Sequence, residues 1–141
     1  MKQEERVMSS SINASAATLD QIKAAFTEAR DMLAWGDDWD GEGSPGYSET
    51  TWNRAREFLL SNAQEIGQRH HVALPAPRVL PGPNAGIDLH WRTSDRELLV
   101  NVPADSNAPI AFYGDTAAHT VVKGSIPPTT GNQWLLAWLT E

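Results

Sequence analysis

The residues with the richest chemistry lie in one loop, residues 37–45. Four carboxylates, a tryptophan, two glycines and a proline follow one another there. Carboxylate oxygens at close spacing are the ligands of hard cations such as Ca²⁺, and they also accept backbone hydrogen bonds in turns. The loop therefore has two chemical interpretations, a cation site and a structural turn.

The spacing from Asp38 matches a calcium loop in part. Asp38, Asp40 and Glu42 occupy the first, third and fifth positions, a glycine follows, and Glu49 occupies the twelfth. The fifth position normally carries Asp or Asn, and the eighth is Pro45, which has no amide to pair with a sister loop. We therefore interpret the loop as a turn that Asp40 caps, with its tryptophan tucked under the neighbouring helices. Calcium binding by the four carboxylates is the alternative.

A second group with potential chemistry is Asp88 and His90. Both alternate with apolar Ile87, Leu89 and Trp91, so they should project from the polar face of a strand. A histidine and a carboxylate together serve in acid–base or metal chemistry, but no spacing typical of a metal or catalytic site accompanies them. We predict no catalytic residues and no cofactor, and a small enzyme of unknown reaction is the least supported alternative.

Amphipathic helices are predicted on both sides of the acidic loop. The first should end at Gly36, and the second should begin with Ser48 as its N-cap and end at Gly67. Both apolar faces need a further surface to cover them. Their apolar positions are Leu19, Ile22, Phe26, Ala29 and Leu33 in the first helix, and Trp52, Ala55, Phe58, Leu59, Ala63 and Ile66 in the second.

Prolines 75 and 77 break the helical pattern, and a two-residue alternation follows. The connections are too short for the crossovers that parallel strands require, so the sheet should be an antiparallel meander of about four strands. The four strands of the meander are predicted at residues 87–92, 98–102, 110–113 and 120–123. A short strand at residues 78–80 is predicted before them.

A short, mostly apolar helix capped by Asn132 is predicted at residues 132–139. We expect it to pack on its own sheet, with another chain as the alternative. The predicted fold class is α+β: an N-terminal helix–loop–helix packed on an antiparallel β-meander, with a short C-terminal helix. Residues 1–15 are Ser-rich and polar, so we predict a flexible tail followed by one domain, 16–141.

The charge balance bears on the choice of partner. Eleven basic and 18 acidic residues give a formal net charge of −7, which disfavours direct binding of nucleic acid and would steer a basic protein partner towards this chain. The simpler interpretation is that this charge keeps a small domain soluble. The chain has no cysteine, no secretory signal and no run of apolar residues long enough to span a membrane, so we expect a cytoplasmic protein without membrane contact.

Six tryptophans are many for a chain of 141 residues. We expect Trp35, Trp39, Trp52 and Trp91 to lie in the core. A second set of side chains could form a recognition surface for a protein partner, because aromatic side chains dominate such surfaces. For Trp134 and Trp138, packing in the core is the simpler interpretation. These candidate partner-binding residues are Trp134, Trp138, Tyr113 and His90.

Four stretches of the chain resemble a family of small uncharacterised bacterial proteins. They are the loop Asp38-Trp39-Asp40-Gly41-Glu42-Gly43-Ser44 and the strand segments Ile87-Asp88-Leu89-His90-Trp91, Glu97-Leu98-Leu99-Val100-Asn101-Val102-Pro103-Ala104-Asp105 and Phe112-Tyr113-Gly114-Asp115. Proteins of this kind often occur in accessory or mobile gene neighbourhoods, and the resemblance implies no particular activity.

Taken with the acidic charge, the resemblance favours a non-enzymatic interaction protein, such as an inhibitor, an antitoxin or an accessory subunit, that binds a protein partner. A second copy of the chain, forming a homodimer, is an alternative partner.

Overall fold

The computed structural model describes residues 16–127 and 133–141, without the side chains of residues 133 and 134. The predicted tail, residues 1–15, and the predicted cap Asn132 lie outside the described residues. The architecture is α+β, as predicted. Its helices are α1 (16–28), α2 (Glu49–His70) and α3 (Gln133–Leu139), and its strands are β1 (Arg78–Pro81), β2 (Ile87–Arg92), β3 (Arg96–Val102), β4 (Ile110–Thr116) and β5 (Val121–Ile126).

The chain tightens where α1 ends. The amide of Ala29 donates to the carbonyl of Phe26 at 3.2 Å, and Arg30–Ala34 forms a 3₁₀ helix. A 3₁₀ helix has three residues per turn, so the buried position falls on Met32. Leu33, which was predicted to lie on the apolar face, is only partly buried for this reason.

Helix α2 begins as predicted and ends later. The Ser48 side chain accepts a hydrogen bond from the Thr51 amide at 3.1 Å, which confirms the N-cap. The predicted end at Gly67 is wrong, because α2 continues to His70 and stops at His71 in the left-handed conformation. A helix interior tolerates one glycine at a penalty of about 1 kcal/mol.

The sheet has five antiparallel strands in the order of the chain, β1-β2-β3-β4-β5. The short segment predicted at 78–80 extends to Pro81 and pairs with β2, so the meander has one more strand than the predicted four. Buried and more exposed residues alternate along β2, as the sequence pattern indicated. The apolar face packs against the helices, and we call the opposite face, with Asp88 and His90, the outer face.

Helix α3 packs against α2 and β3 of its own chain. Leu135, Leu136 and Leu139 are buried, and the ring of Trp138 lies on Gly114. A Cβ at Gly114 would approach that ring and a backbone oxygen to 2.9 Å, so this position has room only for glycine.

The guanidinium of Arg96 fixes α3 from the other side. Its carbon lies 4.9 Å from the centroid of the Trp138 ring, and its Nη1 donates to the Trp138 carbonyl at 2.5 Å. A cation that satisfies a carbonyl near the C-terminus of a helix also complements the helix dipole.

Candidate protein-binding surface

Three aspartates hold the acidic loop between the 3₁₀ turn and α2. Asp37 Oδ1 accepts the Gly46 amide at 2.8 Å, and Asp38 Oδ1 accepts the Gly43 amide at 2.7 Å. The Asp38 amide also donates to the Ser44 carbonyl at 2.7 Å. These bonds close the loop across its base.

Asp40 caps the inner turn, as predicted. Its Oδ1 accepts the amides of Glu42 at 3.0 Å and Ser44 at 3.3 Å, and its Oδ2 accepts the Ser44 hydroxyl at 2.5 Å. The hydroxyl of Ser44 and then the amide of Glu42 lower the pKa of Asp40, because they favour its charged form. Gly41 and Gly43 have φ of 74° and 83°, a conformation that glycine adopts without the steric cost that a side chain would add.

The loop folds back closely onto its own start. A Cβ at Gly46 would lie 2.9 Å from the carbonyl oxygen of Trp35, so only glycine permits the two segments to approach so closely. The Trp39 indole N–H donates to the Pro45 carbonyl at 3.2 Å. The hydrogen bond fixes the indole of Trp39 in position above the closed loop.

Trp35, Trp39 and Tyr47 form what we call the aromatic platform. The Trp35 and Trp39 rings lie 4.8 Å apart at an interplanar angle of 31°, and Tyr47 lies 6.4 Å from Trp35 and 5.9 Å from Trp39. Trp35 is 39% exposed and Trp39 is 37% exposed, so the prediction that both lie in the core is wrong. They stack on each other at the surface because the closed loop holds them outside the helices.

Tyr47 anchors the platform to the sheet. Its hydroxyl donates to the Gly82 carbonyl at 3.0 Å, and its ring is buried. Burial raises the pKa of Tyr47, and the negative charges of Asp40 and Asp88 raise it further. The phenol therefore stays protonated and available as a donor at neutral pH.

Three of the four residues predicted to bind calcium have carboxylates that are engaged in other contacts. Asp38 and Asp40 accept amides within the loop, and the Glu49 carboxylate pairs with Arg30 at 2.8 Å. Glu42 is exposed. Among the described residues, no three histidine, aspartate or glutamate side chains are grouped so that they could hold a metal ion. Calcium binding stays a prediction, and this geometry adds no support to it.

The structure describes the side chains of three of the four residues predicted to bind a partner, and these three do not form one surface. The side chain of Trp134 lies outside the described residues, and Trp138 is buried beneath Arg96. His90 and Tyr113 share the outer face of the sheet, where both pair across strands with Leu99. Tyr113 is 49% exposed.

Asp88 and His90, the pair considered for acid–base chemistry, have separate partners. Asp88 Oδ1 accepts the Asn101 amide group at 2.8 Å, and His90 Nε2 lies 2.5 Å from Glu97 Oε1. Burial raises the pKa of Asp88, which the Asn101 hydrogen bond and the charge of His90 offset only in part. The Asp88 carboxylate lies against the turn before β2, where a Cβ at Gly82 would approach its Oδ1 to 2.7 Å.

Sequence reasoning missed the aromatic platform. The sequence did contain an indication of it, because Trp35 and Trp39 lie next to carboxylates and a glycine rather than in an apolar stripe.

Comparison with protein-family models, curated proteins and solved structures gives no match to this chain. None of the helices in the described part of the chain has the length and apolar character of a membrane span.

Proposed function

We propose that this chain is a non-enzymatic interaction protein that binds a basic protein partner through the aromatic platform and the acidic loop beside it. The observation that carries the proposal is the stacked pair of Trp35 and Trp39, each more than one third exposed, among four carboxylates. An inhibitor, an antitoxin or an accessory subunit would each use such a surface. The resemblance to small bacterial proteins of accessory gene neighbourhoods is consistent with these roles.

The platform has the properties of an energetic centre in an interface. Tryptophan is enriched among residues whose truncation weakens binding by about 2 kcal/mol or more. The indole of Trp39 is already oriented by its bond to Pro45 and by its stacking on Trp35. A side chain that is ordered before binding loses little conformational entropy when the partner arrives.

The carboxylates around the platform define the charge of the partner. Hydrogen bonds lower the pKa of Asp40, so this group is negative over the whole neutral range. Lysine and arginine side chains can pair with these carboxylates and can also lie over the faces of the indoles. The net charge of −7 would increase the rate at which a basic partner arrives.

The test begins with affinity capture from the native host by the wild-type protein, identification of the retained partner, and measurement of its Kd with purified components. We expect Trp39→Ala to weaken binding by about 2 kcal/mol, roughly thirtyfold. Glu42→Gln removes an exposed loop charge and should weaken binding more at low salt than at high salt.

Val121→Ala is the matched control, because Val121 is a comparably exposed apolar side chain on β5, at the opposite edge of the sheet from β1. It should leave the Kd unchanged. The proposal fails if the wild type retains no stable partner, or if the partner binds Trp39→Ala as tightly as the wild type while circular dichroism shows that the variant is folded.

A further inference from the structure

A cavity of about 260 Å³ lies at the edge of the sheet where β1 begins. β1 starts at Arg78, opposite His90, so Trp91 and Arg92 of β2 extend past the end of their neighbour. The preceding segment crosses this gap and is held there by the Trp91 indole, which donates to the Pro75 carbonyl at 2.7 Å. The walls include Pro75, Ala76, Arg78, His90, Trp91 and Arg92.

The polar side of the cavity is basic. Arg78 lies directly across from His90, and Arg92 lies two positions further along the same face of β2. Both arginines are exposed. Two arginines and a histidine therefore line one small cavity in a protein whose net charge is −7.

The carboxylate of Glu97, which lies close to the cavity, contacts His90. Glu97 is the cross-strand neighbour of Arg92, yet its Oε1 lies 2.5 Å from His90 Nε2. Among the residues that the structure describes, no carboxylate oxygen lies within 4.0 Å of a side-chain nitrogen of Arg78 or Arg92. The Glu97 carboxylate is thus held at His90, and neither guanidinium group is paired with a carboxylate of the described residues.

We propose that this cavity binds a small organic anion, with its carboxylate or phosphate group between Arg78 and Arg92. Guanidinium groups form paired hydrogen bonds to both kinds of oxyanion. The remaining walls include Pro75 and Ala76, which would contact an apolar part of the ligand, and the Trp91 indole holds the Pro75 carbonyl in place. The volume admits only a small molecule, about the size of one aromatic ring with its acidic group.

The site is independent of the protein-binding surface. The aromatic platform contacts the sheet through Gly82, just beyond the last residue of β1, whereas the cavity lies at the first residue of β1. Loss of one function should therefore leave the other intact. Charges separated by more than about 8 Å are largely screened at physiological salt, so the local arginines dominate the potential in the cavity.

The experiment is an NMR titration of the full chain that observes the indole N–H of Trp91. The probes are phenyl phosphate, benzoate and inorganic phosphate at millimolar concentration and constant ionic strength. We expect a saturable shift of the Trp91 signal with phenyl phosphate or benzoate and weaker binding of inorganic phosphate, which lacks the apolar part. The comparison of the first two probes distinguishes a phosphate site from a carboxylate site.

Variants of Arg78 and Arg92 test whether the anion binds in the cavity. Arg78→Gln and Arg92→Gln should each raise the Kd by about tenfold or more, because each removes a charge-assisted hydrogen bond. Arg78→Lys, which keeps the charge and loses the paired geometry, should show an intermediate Kd. Arg69→Gln, at an exposed arginine in the last turn of α2, is the control and should bind as the wild type does.

The absence of a saturable Trp91 shift with all three probes would overturn the proposal. Equal Kd values for the wild type, Arg78→Gln and Arg92→Gln would also overturn it. The amide NMR spectrum of each variant shows whether it is folded. If Arg78→Gln does not fold, the Kd of Arg78→Lys still tests the role of this arginine.

Discussion

The hydroxyl of Tyr47 donates to the carbonyl of Gly82 at 3.0 Å and so joins the aromatic platform to the first turn of the sheet. The two residues are 35 positions apart in the chain, and both are buried. The ring of Tyr47 also contacts Trp35 and Trp39, so this hydrogen bond holds the platform at a fixed position relative to the sheet.

Removal of this hydroxyl leaves a buried carbonyl without its donor. We expect Tyr47→Phe to lower the free energy of unfolding by about 1–3 kcal/mol. Urea denaturation followed by circular dichroism measures the change. Tyr113→Phe removes an exposed hydroxyl and should have an effect below about 0.5 kcal/mol. If the two variants lose the same stability, the Tyr47 bond contributes nothing of its own.

Asp88 should make the protein less stable as pH rises. Its pKa is raised in the folded state, chiefly by burial, so between the ordinary value of about 3.9 and the raised value the folded chain binds more protons than the unfolded chain. Stability therefore falls with increasing pH through that range. Asp88→Asn keeps an acceptor for Asn101 and removes the half-buried charge.

We expect the Tm of Asp88→Asn to exceed that of the wild type at neutral pH, with the difference shrinking as the pH falls towards the ordinary pKa of an aspartate. Calorimetry across this range checks the prediction. Glu57→Gln, an exposed position on α2, controls for the change in net charge and should show no such trend. A Tm difference for Asp88→Asn that is constant with pH would contradict the assignment of burial as the cause.

Gly114 should tolerate no side chain. In Gly114→Ala the new methyl group would meet the Trp138 ring and the Glu97 carbonyl, so we expect a loss of about 1–3 kcal/mol in the free energy of unfolding. Chemical denaturation is the measurement. Gly36→Ala is the control, because a methyl group added there would meet no atom within 4 Å beyond its chain neighbours. Its stability should stay within about 0.5 kcal/mol of the wild type.

Ala85 lies in the turn between β1 and β2 with φ of 62°, a region where residues with a Cβ are strained. Ala85→Gly relieves that strain, which outweighs the chain entropy that glycine adds to the unfolded state, so we expect a net increase of up to about 1 kcal/mol in stability. Thermal unfolding measures it. Ala111→Gly, at an extended position in β4, should instead lower the stability, and a loss in both variants would show that Ala85 is not strained.

Local signals in the sequence were sufficient for much of the fold. The Ser48 cap, the alternation in β2 and the aspartate-capped turn at Asp40 each depend on residues within a few positions of one another. Such patterns specify backbone conformation directly. The helices, the antiparallel meander and the role of Asp40 were therefore predictable.

The functional surfaces depend on contacts between distant segments, and one sequence does not reveal these. The exposure of Trp35 and Trp39 follows from the way the loop folds back at Gly46. The pairing of Glu49 with Arg30, 19 residues away, engages a carboxylate that the calcium spacing had included. The basic cavity arises from the register of β1 on β2, which places Arg78 beside His90.

The order of strands in the sheet also bears on how quickly the chain can fold. Every strand pairs with its neighbour in sequence, so each hairpin closes a short loop and loses little entropy. The contacts of α2 and α3 with each other join segments that precede and follow the whole sheet. Folding rates fall as the mean sequence separation of contacts rises, so the meander can form on a faster timescale than the docking of the two helices across it.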